Sequence, residues 1–453
     1  MLYPILKIIM RTAVRVFFKE ISFSGYRNIP NNKPIIFAAN HNSAFMDAIV
    51  VAVFIEPQIH FLTRSDVFNT PFKNWILRKM NLIPIYRLQE GAENLHKNQE
   101  VFAECYRLLK DNKCLIIFSE GICIQEKRLQ KLKKGTARIA FGAELSTNFN
   151  LDLQVVPVGI NYNKPSQFRS NLHLRFASPV ELSNYKEQFQ QDENRAITAF
   201  TRELEDAMRK EILHLNHKET DLFYDQLAEL YYPYLTTSTS IGSENYKSKF
   251  ELLRAISDAV NELMEQQQDA IRLMAEKTNN YFSDLSRLRL KDKFISKPGS
   301  GNKIWVLIHL VLALVGLPLH AISLVFNYLP YKIPYKIAKK TCKHIEFVAS
   351  VIIGSAAFLF LFSFLLWGIL FSVLATTLAL KIAAFFVVPL LGLYSLQYYS
   401  FIKNSAIRWR IAFNKSTVAV LQARREELLK ELDTLLLDKI KSRSKSTLST
   451  QVS

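Results

Sequence analysis

The sequence contains little cysteine, and its cysteines follow no pattern of a metal or redox site. Only four of the 453 residues are cysteine, and no two of them form a Cys-x-x-Cys pair. Zinc-binding motifs and disulfide-stapled domains both require cysteines at characteristic spacings. We therefore expect reduced, mostly buried thiols in a protein that faces the cytosol, and no metal site.

The first residues lack the unbroken apolar core of a secretory signal peptide. A cation recurs there at every fourth position, at Lys7, Arg11, Arg15 and Lys19. With helical periodicity these cations lie along one side of a helix, and apolar residues cover most of the rest. Residues 1–21 are therefore predicted to form an amphipathic helix on a membrane surface, with an ordinary packing helix as the alternative.

Acidic residues are in deficit across the chain. Lys and Arg number 58 against 40 Asp and Glu, so the formal charge is +18. This balance predicts an anionic partner, which is a nucleic acid, an anionic membrane or a phosphorylated substrate. The basic residues cluster beside apolar segments and no base-stacking motif is present, so we expect membrane lipids and no nucleic acid as partners.

Charged residues are almost missing from two long stretches of the C-terminal third. Residues 304–329 carry no formal charge, and residues 347–402 carry only Lys381. Because a membrane span needs about 20 apolar residues, a membrane region is predicted over 301–410. The second stretch is interpreted as a hairpin of two spans. The first is predicted to kink or re-enter at Pro318, and a full third span is the alternative.

Lysine and arginine flank the two open ends of the predicted hairpin. Five lysines lie between residues 332 and 343, and Lys403, Arg408 and Arg410 follow the last span, whereas only Lys381 lies near the turn. The positive-inside rule then places both ends of the hairpin in the cytoplasm.

Residues 22–185 read as an α/β domain. Short apolar runs alternate there with helical patterns, which predicts a mostly parallel sheet flanked by helices. The six predicted strands are Ile35–Ala39, Ile59–Thr63, Leu82–Tyr86, Cys114–Phe118, Val155–Ile160 and Leu172–Phe176. Residues 186–300 are predicted to form a helical insert of unassigned role. Residues 411–453 are predicted to form an amphipathic helix and a disordered basic tail.

The first candidate site residues follow the strand Ile35–Ala39. His41 lies where this strand gives way to a helix, with Asn42 or Ser43 as the expected N-cap, and open α/β sheets bind ligands at such junctions. Asp47 follows on the first turns of that helix. A histidine that takes up a proton needs a carboxylate to fix its tautomer and stabilise its charge, so the two residues form a candidate pair.

Further polar groups follow other predicted strands. Arg87 follows one apolar run, and the sequence Phe-Ser-Glu-Gly over 118–121 ends another. If the sheet is parallel, the carboxyl ends of its strands meet at one edge, and His41, Arg87 and Glu120 share a cleft. Lys134 precedes a predicted helix whose free N–H groups suit a phosphate, whereas the other cations around it are interpreted as surface charge.

Together with a Val-Pro strand at residues 156 and 157, these blocks resemble the glycerolipid acyltransferase (PlsC-type) family over about residues 22–185. That family has a His-x4-Asp block, an Arg-bearing block, a Phe-Pro-Glu-Gly block and a Val-Pro block. This chain has five residues between His41 and Asp47, Ser119 in place of proline, and Ile122-Cys123 in place of Thr-Arg. The wider gap and the C-terminal membrane region resemble the branch that acylates glycerol 3-phosphate or dihydroxyacetone phosphate.

The resemblance implies a membrane-bound O-acyltransferase of phospholipid biosynthesis that needs no cofactor or metal. Its acyl donor would be acyl-CoA or acyl carrier protein, and its acceptor a polyol phosphate, with His41 as general base and Asp47 as its partner. Arg87 and Lys134 would hold the phosphate. Ser119, Glu120 and Gly121 would shape the acceptor pocket.

Two other functions stay open at this point. The first is an acyltransferase whose acceptor is lysophosphatidic acid or another lysolipid. The second is a catalytically silent membrane scaffold. A serine hydrolase is disfavoured because no Gly-x-Ser-x-Gly elbow is present. The resemblance favours the cytoplasmic face of a bacterial inner membrane, although an endoplasmic reticulum membrane satisfies the same physical constraints.

Overall fold

The computed structural model describes residues 2–86, 97–238, 249–296 and 303–449. The chain divides into two compact units. The first comprises Met1–Leu213 with Ile333–Ala357, and the second comprises His214–Lys332 with Phe358–Ser453.

A mostly parallel sheet forms the centre of the first unit, as predicted. Its strands within the described residues are β1 Glu20–Ser24, β2 Ile35–Ala39, β3 Ile59–Arg64, β4 Leu82–Ile85, β5 Cys114–Phe118, β6 Gln154–Tyr162, β7 Asn171–Phe176 and β8 Val180–Glu181. The strand order is β1-β7-β6-β2-β5-β3-β4, with β8 paired to β6. The β6–β7 and β6–β8 pairs are antiparallel, and the other pairs are parallel.

Helices cover both faces of this sheet. They are α1 Leu2–Phe17, α2 Phe45–Ala52, α3 Pro71–Lys79, α4 Lys97–Lys110, α5 Gly135–Leu145, α6 Lys186–Gln191 and α7 Glu193–Lys210. The central strand β2 shows why both faces must be covered. Ile36 and Ala38 enter one buried core, while Ile35, Phe37 and Ala39 enter the other. An uninterrupted apolar strand of this kind is typical of a parallel sheet.

One side of α1 packs into the second of these cores. Val14 and Phe17 are buried there, and Arg11 Nε donates to the carbonyl oxygen of Val53. Ile5 and Ile8 on the same helix are exposed by 56% and 68%. The helix therefore packs through one side, and its attachment to a membrane surface through the exposed side stays a prediction.

The second unit contains an all-helical bundle. Its helices are α8 Asp221–Ser238, α9 Lys249–Gln266, α10 Gln268–Arg287, α11 Asp292–Ile295 and α15 Lys415–Ser449. Its interior includes one charged pair, in which buried Asp292 accepts hydrogen bonds from Arg425 Nε and the Tyr281 hydroxyl, both at 2.8 Å. The last helix continues past Ile440 to Ser449, into the segment predicted to be disordered.

Three helices in the described part of the chain are long and apolar enough to cross a membrane, which indicates a membrane protein. They are α12 Lys303–Thr341, α13 Val348–Leu374 and α14 Leu378–Phe413. Pro318 lies within the continuous helix α12, so the structure has the full-length helix there and no re-entrant turn between Lys303 and Thr341. Near this proline, the Tyr394 hydroxyl of α14 donates to the Gly316 carbonyl oxygen at 2.8 Å.

Candidate active site

The site begins at the buried side chain of Asn40, directly after β2. Its Oδ1 accepts from the Ile160 N–H at 2.7 Å, and its Nδ2 donates to the Ile160 carbonyl oxygen at 3.1 Å. Both hydrogen bonds join the end of β2 to the neighbouring strand β6. The next residue, His41, is therefore held at the carboxyl edge of the parallel strands, where the sequence predicted a cleft.

The structure brings His41 and Asp47 into direct contact. His41 Nδ1 lies 2.9 Å from Asp47 Oδ2, and the same oxygen accepts from the N–H groups of Asn42 and Ser43 at 2.8 and 2.7 Å. The Asp47 side chain is fully buried, while that of His41 is 15% exposed. Because Oδ2 accepts from two backbone N–H groups, the tautomer of His41 with its proton on Nδ1 supplies the third donor to this oxygen.

Tyr162 completes the surroundings of the carboxylate from the end of β6. Its hydroxyl donates to Asp47 Oδ1 at 2.8 Å. Burial raises the pKa of Tyr162 well above its ordinary value, and the charge of Asp47 raises it further, so the hydroxyl stays protonated and remains a donor. With Nδ1 directed to Asp47, His41 Nε2 is the ring nitrogen left to accept a proton.

Phe118 and Glu120 fix the ring and the backbone of His41. The Phe118 ring stacks on the imidazole with centroids 4.0 Å apart and planes 15° apart. Glu120 Oε1 accepts from the His41 N–H at 2.7 Å, and Oε2 accepts from the Gln130 N–H at 3.0 Å. Glu120 therefore contacts the predicted base, and both of its oxygens already hold protein backbone.

Burial raises the pKa of Glu120 to about 7, although its two backbone hydrogen bonds act in the opposite direction. The negative charge of Asp47 contributes a smaller increase. Two carboxyl groups near one histidine thus have different environments. Asp47 has four hydrogen-bond contacts, whereas Glu120 has two.

Ser119 and Gly121 shape the connection between β5 and α5. The Ser119 hydroxyl, at the position where the resembled family has proline, lies 2.9 Å from the Thr136 hydroxyl in the buried interior. Gly121 has a φ angle of +69°, and a Cβ there would lie 3.1 Å from Lys133 Cγ. The backbone needs glycine at this turn because side-chain-bearing residues rarely adopt such a φ angle.

Of the two cations predicted to bind the phosphate, Lys134 lies within the described residues and Arg87 does not. Lys134 immediately precedes α5 as predicted, but its exposed ammonium group donates to the Thr198 hydroxyl of α7 at 2.8 Å. The neighbouring Lys133, which the sequence did not single out, is the lysine whose stem lies beside Gly121. Arg87 lies outside the described residues, and its role stays a prediction.

Three residues near His41 were missed by reasoning from the sequence. Tyr162 ends the observed strand β6, two residues past the predicted end of this strand at Ile160, so the end of the Val-Pro strand was the available signal. From the sequence, Phe118 was considered only as the first residue of the Phe-Ser-Glu-Gly block over 118–121. Cys123 accepts a hydrogen bond from the Ala44 N–H at 3.2 Å, a contact that no local pattern indicates. Burial raises the pKa of Cys123 to about 12, so this sulfur is a thiol.

Metal-ligating atoms of His41, Asp47 and Cys123 lie within 4.8 Å of one another. Nitrogen, oxygen and sulfur are all zinc ligands. However, Asp47 already accepts three hydrogen bonds on Oδ2 and one on Oδ1, and a metal would have to displace some of them. The observed bonds fit an acid–base pair, and the expectation that the reaction needs no metal stays a prediction.

The Acyltransferase family model matches residues 20–161, which contain this site. Glycerol-3-phosphate O-acyltransferase 1 of Saccharomyces cerevisiae is 33% identical over 82 residues, which are 18% of this chain and 11% of that protein. An uncharacterized acyltransferase of Schizosaccharomyces pombe is 30% identical over 135 residues, which are 29% of this chain and 20% of that protein. The matches thus span only a small part of either relative.

Among solved structures, the chain is similar to the 1-acyl-sn-glycerophosphate (LPA) acyltransferase PlsC from Thermotoga maritima. The two are 18% identical with a TM-score of 0.31, and the match covers 46% of this chain and 79% of that chain. A score of this size is too low to support an inference about fold or function.

Proposed function

We propose that this chain, whose residues 20–161 form an acyltransferase-family domain, is a membrane-bound O-acyltransferase that uses glycerol 3-phosphate or dihydroxyacetone phosphate as its acceptor. The observation that carries the proposal is the His41–Asp47 pair, which has a buried carboxylate held by backbone donors and a partly exposed imidazole. This arrangement suits removal of a proton from a hydroxyl group.

In the proposed reaction, His41 Nε2 takes the proton of the acceptor hydroxyl. The oxygen of that hydroxyl attacks the carbonyl carbon of an acyl thioester. A C–O bond forms, the C–S bond breaks, and the thiolate leaves with the proton that the imidazolium returns. Asp47 keeps the imidazole oriented and stabilises its charged form. Tyr162 and the N–H groups of Asn42 and Ser43 hold the Asp47 carboxylate in place through their hydrogen bonds.

The acceptor phosphate is proposed to bind beside the start of α5. Lys133 and Lys134 lie at that helix N-terminus, and unpaired N–H groups of a first helical turn attract anions. Arg87 is proposed to supply a further positive charge, as the family resemblance implies. The formal charge of +18 on the whole chain is consistent with an anionic acceptor and an anionic membrane surface.

The acyl donor is proposed to be a long-chain thioester of coenzyme A or of acyl carrier protein. The three apolar helices support a reaction at a membrane, where the acylated product partitions. The lysines and arginines at the ends of these helices support a catalytic unit on the cytoplasmic face. A bacterial inner membrane is proposed, on the family resemblance alone.

Acyl transfer by the purified full chain in lipid nanodiscs tests the proposal. A radiolabelled long-chain acyl-CoA is offered with glycerol 3-phosphate, dihydroxyacetone phosphate or lysophosphatidic acid, and thioester hydrolysis without acceptor is the control. We expect an acylated product from one of the first two acceptors. A product from lysophosphatidic acid alone would contradict the proposed acceptor, and no product above hydrolysis, with acyl carrier protein thioesters also tried, would contradict the proposed activity.

A further inference from the structure

A strained turn separates His41 from Asp47. The Met46 N–H donates to the Ser43 carbonyl oxygen at 3.0 Å, which closes a four-residue turn. Ala44, the second residue of the turn, has φ and ψ angles of 43° and −127°. These values are close to a type II′ turn, in which this position strongly favours glycine. An alanine held in this conformation needs support from its surroundings.

Much of that support comes from a single hydroxyl on helix α13. Ser350 Oγ donates to the Ser43 carbonyl oxygen at 3.0 Å and accepts from the Met46 N–H at 2.9 Å. One side chain therefore joins both ends of the turn. Ser350 is 8% exposed, so water competes poorly for either bond.

Ser350 is itself fixed by packing. Its neighbours Ala349, Ile352 and Ile353 on α13 are buried in the same core as Met46 and Val50 of α2. This part of α13, up to Ala357, belongs to the same compact unit as the site. The hydroxyl therefore reaches the turn from a rigid, packed helix.

The position of the turn determines the position of the carboxylate. The Asn42 and Ser43 N–H groups, at the start of the turn, donate to Asp47, which directly follows its end. If the turn relaxes from its strained conformation, the N–H groups and the carboxylate that orient His41 move apart. Ala44, the residue in the strained conformation, is one of the five residues between His41 and Asp47, where the resembled family has four.

We propose that Ser350 is a positioning residue: it clamps the strained turn 43–46 and thereby holds Asp47 against His41. Ser350 lies on a helix with the length and apolar character of a membrane span. The conformation of the turn 43–46 therefore depends on the position of that helix. The expected effect of this clamp on kcat rests on the proposed function. Its expected effect on the conformation of the turn does not depend on that function.

The variant Ser350→Ala tests the clamp, with Ser355→Ala as a matched control. Ser355 lies on the same helix, but its hydroxyl bonds only to carbonyl groups of that helix. In full-length protein without substrate, we expect amide hydrogen exchange over residues 43–47 to become at least about tenfold faster in Ser350→Ala and to stay unchanged in Ser355→Ala. Unchanged exchange in Ser350→Ala, or equal acceleration in both variants, would overturn the clamp.

The kinetic arm asks whether the clamp matters for the reaction. Ser350→Ala is expected to lower kcat about tenfold with the acceptor KM within about twofold, because orientation is lost and binding is not. In the Ala44→Gly background the same substitution is expected to cost less than about threefold, because glycine adopts the turn without strain. An equal loss in both backgrounds would overturn the role of strain, and a KM effect alone would overturn the positioning role.

The two arms separate the possible failures. If the wild-type chain transfers no acyl group to any acceptor, the proposed function fails while the exchange measurement still decides on the clamp. If Ser350→Ala does not fold, Ser350→Cys replaces it, because a thiol of similar size is a weak donor and acceptor. Ser350→Cys is then expected to accelerate exchange over 43–47, and wild-type exchange would overturn the clamp.

Discussion

At the scale of single residues, the carboxylate of Asp47 shows how much protein is used to hold one charge. It accepts hydrogen bonds from one imidazole, two backbone N–H groups and one phenol. A buried polar group needs hydrogen-bond partners because it has lost those that water supplies. These donors fix the carboxylate that contacts the imidazole, so they are part of the proposed catalytic apparatus.

The variant Tyr162→Phe removes one of these donors and little volume. We expect kcat to fall about tenfold, because the charge and orientation of Asp47 are less well supported while His41 and its remaining contacts stay in place. Acyl transfer assays under saturating acceptor measure the effect, and Tyr26→Phe, on an exposed tyrosine away from the site, is the control. Wild-type kcat in Tyr162→Phe would show that the phenol has no catalytic consequence.

Glu120 gives a prediction about pH. Burial raises its pKa from 4.5 to about 7 in the folded protein. Between these values the folded state binds more protons than the unfolded state at this group, so its contribution to stability decreases as pH rises from about 4.5 to 7 and is level above. We therefore expect the melting temperature of wild type relative to Glu120→Gln to decrease across this window.

Thermal unfolding of both proteins in nanodiscs between pH 4 and 8 provides the measurement. Because both proteins share all other titrating groups, their difference isolates position 120. A difference that rises with pH, or that does not change, would contradict the raised pKa of Glu120.

At the scale of secondary structure, the connection from β5 to α5 carries the third sequence block and depends on its glycine. Gly121→Ala places a Cβ on a residue with a φ angle of +69° and 3.1 Å from Lys133 Cγ. We expect a loss of about 1–2 kcal/mol in the free energy of unfolding, and lower activity because Glu120 shifts. Denaturant unfolding measures the first effect.

The matched control for this connection is Gly135→Ala at the start of α5. A Cβ at Gly135 has no neighbour within 4 Å, and its φ angle is not in the positive region. This variant should unfold within about 0.5 kcal/mol of wild type. Equal destabilisation by both substitutions would show that the loss at Gly121 does not come from its turn.

The strands that the sequence predicted are those with an apolar run, such as Ile35–Ala39, or with apolar residues at alternate positions, as in Leu172–Phe176. All six were found, and β2 and β5 have the predicted bounds. β1 and β8 were missed. β1 is a short strand whose first and fourth residues are exposed, and β8 has only two residues. Their pairing with β7 and β6 is therefore decided by tertiary contacts rather than by local pattern.

The predicted N-cap of α2 is wrong for an instructive reason. Asn42 and Ser43 are good capping residues by type, but the helix begins at Phe45 and the cap position is Ala44, with no side-chain cap. Their backbone N–H groups are instead held by Asp47. The Asp47 carboxylate thus takes the place of an ordinary cap, and local propensity contains no information about that contact.

At the scale of the whole molecule, the chain order and the structural units do not coincide. Ile333–Ala357 belongs to the same unit as residues 20–161, which the Acyltransferase family model matches, although it lies more than a hundred residues farther along the chain. The sequence predicted that this stretch belongs to the membrane region over 301–410 and not to the site. Ser350 could not be recognised from the sequence, because a serine near the start of an apolar helix has no distinguishing local pattern.

The sequence was informative about His41, Asp47 and Glu120 because each lies two residues after a buried strand or in the first turn of the helix that follows one. Since the carboxyl ends of parallel strands lie at one edge of the sheet, the positions of these residues relative to their strands were enough to predict a shared cleft. The destination of the Lys134 side chain could not be predicted in the same way. A long, exposed lysine has several surface partners within reach, and here it contacts Thr198.

The central claim is that His41 and Asp47 act as an acid–base pair in acyl transfer. The most direct test is single-turnover acyl transfer by the purified full chain in nanodiscs, comparing wild type with His41→Ala and Asp47→Asn. His217→Ala, on an exposed histidine of the second unit, is the matched control. We predict that both site variants lose at least about a hundredfold in rate while the control keeps the wild-type rate. Transfer by His41→Ala at the wild-type rate would contradict the account.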